Sequence, residues 1–452
     1  MGITRKFITI LLAIFLSLMI VACGDIENTK KNIVPEVGVD NFVSAEIIDD
    51  INSSVMLDIV KAKIDPNTIF AFGYRAVKII YKTKGQNGDD INASGLLTIP
   101  IIDPRYKQYR KAKGMGAFSI SMINENHGTI FTNSEAPSVA EINNSRPDIA
   151  TSVLFTSKAG FASINPDYIG YGESNNTKHP YIMKKASAQA SIDMIRASIK
   201  YMNDNNYVLN GQLYLTGYSE GGYVAMAVAQ EIQKNYANEL VVKGLAPMAG
   251  PYQVEKLGNN EIDANKTMEH PAFLAYLGFA YGAYYDDINL SEVINYPNIS
   301  AFNNIIHSKI YPSTTINVLL GLGDITNGGI KSTKANVLFK DSFIHDYKNN
   351  NNNSFKVRLD ENRVDNWTPN SLVNLIHCKD DEIIPHSMTI SAKNKFIQNG
   401  MDSSKLTVTS IPTVLLKQKV DFLHPFVHSN CGPKAYGAAV QWFSKIRSGE
   451  IK

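Results

Sequence analysis

A chain of 452 residues that is 44% hydrophobic and 19% charged has the make-up of a folded globular protein, which excludes an extended disordered one. The formal net charge of +2 traces to Arg5 and Lys6 at the N-terminus. The near-balanced remainder excludes a nucleic-acid-binding surface and steering of a strongly charged substrate. The length buries a large core, as one decorated domain or as two.

Arg5 and Lys6 precede an apolar run from Phe7 to Ala22, short for a bilayer span and of the form of a secretory h-region. The run ends in Ile20-Val21-Ala22-Cys23-Gly24, which resembles a bacterial lipobox with Cys23 as the lipidated residue. The alternative is a signal peptide or anchor that happens to end near a cysteine. Gly24 in place of aspartate favours the outer membrane by the sorting rule of enteric-type bacteria, and an acylated cysteine would hold the protein to the envelope. Residues 1–22 are thus expected as a signal peptide and 23–50 as the lipidated cysteine and a tether. The polar stretch from Asp25 to about Ser44 suits the tether, and 51–452 is expected as the folded body.

Strands are expected at Arg75–Thr83 and Ala93–Pro100, joined as an antiparallel hairpin by a turn cluster at 84–90. A strand over Met115–Met122, a short helix over Pro147–Ala159 and a strand over Gly160–Asn165 follow. Lys185–Asn203 has Ile192, Ile195, Ile199 and Met202 at helical spacing. Leu240–Met248 reads as a strand. Between Gly250 and about Trp367 the strand–helix rhythm lapses into an aromatic, helix-leaning block, expected as a helical insertion at about 255–367. Its run Phe273–Tyr285 lines an acyl pocket or forms the insertion's own core. The rhythm resumes with a strand at Ser371–His377, a helix at Ser387–Gln398, a strand at Lys405–Ile411 and a last helix at Lys434–Ile446. This alternation predicts an α/β fold with a mostly parallel sheet covered on both faces.

The chemistry centres on Leu213-Tyr214-Leu215-Thr216-Gly217-Tyr218-Ser219-Glu220-Gly221-Gly222. Here an apolar strand meets a G-x-S-x-G turn and continues into an alanine-rich helix, the context of a nucleophile elbow. Ser219 is the candidate nucleophile. Its acid is sought in His377-Cys378-Lys379-Asp380-Asp381-Glu382-Ile383-Ile384-Pro385, which is similar to the hydrolase pattern H-G-x-x-D-x-x-V-P and puts Asp381 in the acid's place, with Asp380 and Glu382 as rivals. The base is expected just before the last helix. His428 is preferred to His424, which precedes a proline and suits a structural turn. Oxyanion donors are expected at the backbone N–H of Glu220 and of Thr129; the alternative is that His127 and Gly128 form only a tight turn. Asp167 is given a structural role.

With these segments, the HGT of His127–Thr129, Pro137-Ser138, Asp167–Ser174 followed by His179-Pro180-Tyr181, and Ala249–Tyr252, the chain resembles α/β-hydrolases of the secretory lipase type over about Arg75–Arg447. The resemblance implies a carboxylic-ester hydrolase with a helical cap, acting on a small-molecule or lipid ester without cofactor or metal. The lipobox-like stretch at Cys23 places the protein in the bacterial cell envelope, held to the membrane by its lipid, and the charge balance points to no nucleic-acid partner. Two departures stand out. Glu220 sets a carboxylate where the group usually has a neutral residue, and Cys378 replaces the usual glycine. Cys378 and Cys431 lie three residues from Asp381 and His428, so they would meet if those two meet, either as a disulfide or as two buried thiols. Competing readings are a serine peptidase on the same fold and a catalytically silent binding lipoprotein.

Overall fold

A computed structural model describes residues 41–114, 116–142, 149–262, 267–268, 270–321, 325–326, 329–330, 333–412 and 427–452. The expected signal peptide, Cys23, most of the expected tether and His424 lie outside these residues. Nine strands form one sheet: β1 (Phe42–Ile51), β2 (Gly73–Lys84), β3 (Asp90–Ile101), β4 (Ile120–Asn126), β5 (Ala162–Pro166), β6 (Leu209–Tyr218), β7 (Val242–Met248), β8 (Leu372–Cys378) and β9 (Leu406–Ile411). Their order is β1-β2-β3-β5-β4-β6-β7-β8-β9. The flank from β1 through β3 to β5 is antiparallel, and from β5 to β9 every pairing is parallel.

Alternation along the parallel strands divides the core. Leu213, Leu215, Leu245, Val373 and Leu375 join one buried cluster, whereas Tyr214, Ala246, Met248, Ile376 and Cys378 join another on the opposite face. The first face is covered by helices α1 (Lys184–Asp204) and α2 (Glu220–Glu231). The second is covered by α6 (Val427–Arg447), whose Phe443 ring packs 5.0 Å from that of Tyr214. Between β7 and β8 a helical block rises, including α3 (Val254–Glu261) and α4 (Pro271–Tyr284); α5 (His386–Gln398) connects β8 to β9.

Three expectations are corrected. The strand expected at Met115–Met122 runs from Ile120 to Asn126, because Asn124, Glu125 and Asn126, polar enough to read as loop, are buried in the sheet. The last helix starts at Val427 rather than near Pro433, and it carries Pro433 inside it, so His428 sits in its first turn instead of on a preceding loop. Residues 42–50, assigned to the tether, form most of an edge strand paired with β2; register shifts at Phe42/Ser44 and Ile47/Asp49 break its alternation and leave Val43 and Ile47 exposed.

Candidate active site

Registers align the carboxyl ends of the parallel strands: Asn126 lies beside Gly217, Tyr218 beside Met248, Met248 beside Ile376, and Cys378 beside Ile411. The loops leaving these ends meet at one rim, where open α/β sheets carry their sites. Ser219 stands at the centre, between β6 and α2, with φ 60° and ψ −122°, a conformation strained for a residue with a side chain. Its N–H donates to the Met248 carbonyl at 2.9 Å. The turn needs glycine on both sides because backbone crosses backbone. A Cβ on Gly217 would lie 2.3 Å from the Gly221 carbonyl oxygen, and one on Gly221 would lie 1.8 Å from that of Asn126.

Asp381 follows β8 and is buried. Its Oδ1 accepts the Ile383 and Ile384 N–H groups at 3.0 and 2.8 Å, and its Oδ2 accepts from His428 Nδ1 at 2.7 Å and His377 Nε2 at 3.1 Å. Burial opposes the charged carboxyl, but the hydrogen bonds from His377 and His428 outweigh it and hold Asp381 well below the usual carboxylate range. With Nδ1–H committed to Asp381, the His428 Nε2 carries the lone pair. Tyr218, next to Ser219, donates its O–H to the His428 carbonyl at 2.7 Å, and the two rings lie 5.0 Å apart. The rivals for the acid take other places: Asp380 is exposed, and Glu382 accepts the His428 backbone N–H at 3.3 Å.

His377 is a part of this assembly that sequence reasoning left without a role. Its Nε2 also faces the Ile384 carbonyl at 2.9 Å, so that nitrogen carries a proton, while Nδ1 bonds the Thr389 hydroxyl at 2.7 Å. The only signal for it was its place at the first position of the His377–Pro385 pattern that marks Asp381. Cys378 and Cys431 form a disulfide with Cα atoms 6.1 Å apart, joining the end of β8 to the start of α6. The cross-link spans 53 residues and lies next to both halves of the Asp381–His428 pair.

Thr129, Ser219 and Glu220 line one cavity. Gly128 packs against the turn, where a Cβ would sit 3.7 Å from that of Ser219. Apolar walls come from Val254 and Leu257 of α3, Phe273, Leu274 and Leu277 of α4, and Ile384. The aromatic run of α4 therefore lines this cavity through Phe273 and is also core, with Tyr276, Phe279 and Tyr281 buried. Among the described residues no lysine or arginine lines the cavity, and its ionisable lining is Glu220, Glu261, Glu382, His270 and Tyr181. Burial pushes His270 down to about 4 and Glu382 up. The Glu220 carboxylate meets His179 Nε2 at 2.9 Å. Asp167 has the structural place expected of it, accepting from the Ser94 hydroxyl and from the N–H and hydroxyl of Ser138. Among the described residues, no cluster of three His, Cys, Asp or Glu side chains is arranged to hold a metal, and no helix is long and apolar enough to cross a membrane.

Residues 146–256 match the secretory lipase family model. In sequence, no curated protein matches the chain. In structure it is similar to the rice cell wall degrading esterase LipA from Xanthomonas oryzae, with TM-score 0.74 and 22% identity over 88% of this chain and 96% of that one. A putative hydrolase from Legionella pneumophila matches with TM-score 0.73 and 21% identity over 91% and 100% of the two chains. Candida antarctica lipase A is more distant, with TM-score 0.55 and 13% identity over 82% and 76%. The chain is an α/β-hydrolase in fold, and its stretch through the turn at Ser219 is of the secretory lipase type.

Proposed function

We propose that the protein is a serine carboxylic-ester hydrolase, exported and held to the envelope through Cys23. The observation that supports this best is Ser219, strained at the head of α2 and opening into a mainly apolar cavity, with the Asp381–His428 pair held beside its turn by Tyr218. In this reading the Ser219 Oγ bonds to the ester carbonyl carbon and its proton passes to His428 Nε2. Asp381 steadies the resulting imidazolium. The negative oxygen is held by the N–H groups of Glu220 and Thr129, aided by the positive end of α2. The C–O bond to the alcohol then breaks and the alcohol leaves with the proton from His428. Water repeats the sequence on the acyl-enzyme and releases the acid.

The apolar walls suit a hydrophobic acyl group. Among the described residues the lining is acidic and holds no lysine or arginine, which disfavours substrates that carry their own negative charge. The test is turnover of p-nitrophenyl esters of increasing acyl length by the protein and by Ser219→Ala. The expected result is hydrolysis that falls by about 10⁴-fold or more in the variant, together with fluorophosphonate labelling of the parent alone. A folded parent that neither hydrolyses any ester nor takes the label would overturn the proposal.

A further inference from the structure

The Glu220 side chain turns away from the expected oxyanion and into the protein. Its Oε1 lies 2.9 Å from His179 Nε2, and both side chains are 2% exposed. On its other edge, His179 Nδ1 is 2.7 Å from the Ile169 carbonyl oxygen. A carbonyl only accepts, so Nδ1 carries a proton. A second proton must then lie between Nε2 and Oε1; otherwise a ring lone pair and a carboxylate would face each other at 2.9 Å in a buried site.

The surroundings favour the imidazolium–carboxylate form. Four tyrosine rings surround His179: Tyr168 at 5.9 Å, Tyr171 at 5.2 Å, Tyr181 at 6.0 Å and Tyr276 of α4 at 5.7 Å. Burial pushes the hydroxyls of all four above the usual range, so they are neutral, and their rings are suited to a cation. Tyr223 of α2 is also neutral, held up by burial, and donates its hydroxyl to the Ile182 and Asn362 carbonyls. The other carboxylates whose charge reaches this shell are Glu125, acting on Tyr168, and Glu135, acting on Tyr171.

These same tyrosines grip the other side of the cavity. Tyr168 donates to the His127 carbonyl at 2.9 Å, and Tyr171 donates to that of Ile130 at 2.6 Å. Tyr181 bonds the Thr129 hydroxyl at 3.1 Å. With its own proton on Ile130, Tyr171 accepts from the Tyr276 hydroxyl at 2.6 Å. The pair therefore sits where the Glu220 turn and the 127–130 segment are joined.

We propose that His179 and Glu220, sharing one buried proton, form a positioning element that fixes both backbone donors of the oxyanion hole, a role that rests on the ester-hydrolase reading above. Without the shared proton two acceptors would face each other at 2.9 Å, so removing either partner loosens Glu220 and kcat falls. Protons on both His179 ring nitrogens are the signature of the pair.

The test measures kcat and KM for the full-length protein, Glu220→Gln and His179→Phe. Glutamine can donate its amide N–H to His179 Nε2 in place of the shared proton, so Glu220→Gln should retain more of kcat than His179→Phe. His179→Phe strands the carboxylate, and kcat should fall about 10- to 100-fold with KM nearly constant, short of the ~100- to 1,000-fold cost of deleting an oxyanion donor. ¹⁵N spectra of the histidines should show both ring nitrogens of His179 protonated in the parent and only Nδ1 in Glu220→Gln. The proposal is overturned if His179 Nε2 is unprotonated in the parent, or if folded His179→Phe keeps parental kcat. Should His179→Phe fail to fold by circular dichroism, the ¹⁵N spectra of the parent and of Glu220→Gln decide. Loss of the ester-hydrolase reading is recognised separately, by a parent without turnover; the spectra then decide the shared proton, and an Nε2 unprotonated in the parent and insensitive to Glu220→Gln overturns it.

Discussion

The rim at Ser219 and the helical block above it are held by different kinds of contact. At the rim, backbone meets backbone: a Cβ on Gly221 would fall 1.8 Å from the Asn126 carbonyl oxygen, and one on Gly222 would fall 2.4 Å from that of Met248. In the block, side chains meet side chains: a Cβ on Gly278 of α4 would come 3.0 Å from the Ile294 Cδ1. The block reaches the body through long polar side chains seated on carbonyls of one segment. Lys309 donates to Asn175 and Thr177, Tyr284 to Lys178 and Tyr281 to Ile182. Backbone crossing fixes the turn that carries Ser219. A block packed by side chains can change its cavity wall without disturbing that turn, which under the proposed function would separate chemistry from acyl selection.

The largest expected effect compares one methyl group in the two regions. Gly221→Ala should destabilise by about 3 kcal/mol or more, because neither carbonyl nor helix can yield without parting β4 from α2. Gly278→Ala should stay within about 1 kcal/mol, since the Ile294 methyl can shift and alanine is the better helix former by about that amount. Urea unfolding midpoints measure both. Equal costs would mean that the two regions are not held differently.

Next comes the staple. Reducing the Cys378–Cys431 bond, or replacing both residues by serine, should cost about 2–4 kcal/mol. It should also lower ester turnover, because the bond joins the strand bearing the Asp381 loop to the helix bearing His428. Melting temperature and rate, measured with and without reductant, check this. An unchanged rate after full reduction would mean that Tyr218 and Asp381 suffice to hold His428.

How much of this was legible in the chain follows the same division. Strands β6, β7 and β8 announced themselves because their residues are apolar and their neighbours regular. Strand β4 was misplaced because its polar residues find partners remote in sequence. Asn124 donates to the Ile164 carbonyl at 3.1 Å, Asn126 donates to that of Thr216 at 3.2 Å, and Glu125 accepts the Tyr436 hydroxyl at 2.5 Å. The start of α6 was hidden by Pro433, which reads locally as a first-turn residue. The disulfide at Cys431 and the Tyr218 bond to the His428 carbonyl instead hold the earlier turns. Ser219, Asp381 and His428 were legible because patterns mark them. His179 was not, because its partner Glu220 lies 41 residues away and reads alone as a misplaced charge.

The smallest expected effect probes the seating of the block on the body. Lys309 is buried, and burial pushes its ammonium down to about 7. An unfolded lysine keeps its proton to about pH 10.4. Between these values the unfolded chain binds more protons than the folded one, so this residue makes stability rise with pH; below about pH 7 both states are charged and the contribution is flat. The amine still has two hydrogens for the Asn175 and Thr177 carbonyls when neutral, so deprotonation relieves the buried charge without breaking the seat. Relative to Lys309→Met, the parent should therefore gain about 1 kcal/mol between about pH 7 and pH 8. Urea midpoints of the two proteins at each pH measure the difference and cancel the titration of every other group. A parallel pair of profiles would mean that water reaches Lys309 in solution. The block would then be seated on the body by its tyrosines, with Lys309 an incidental contact.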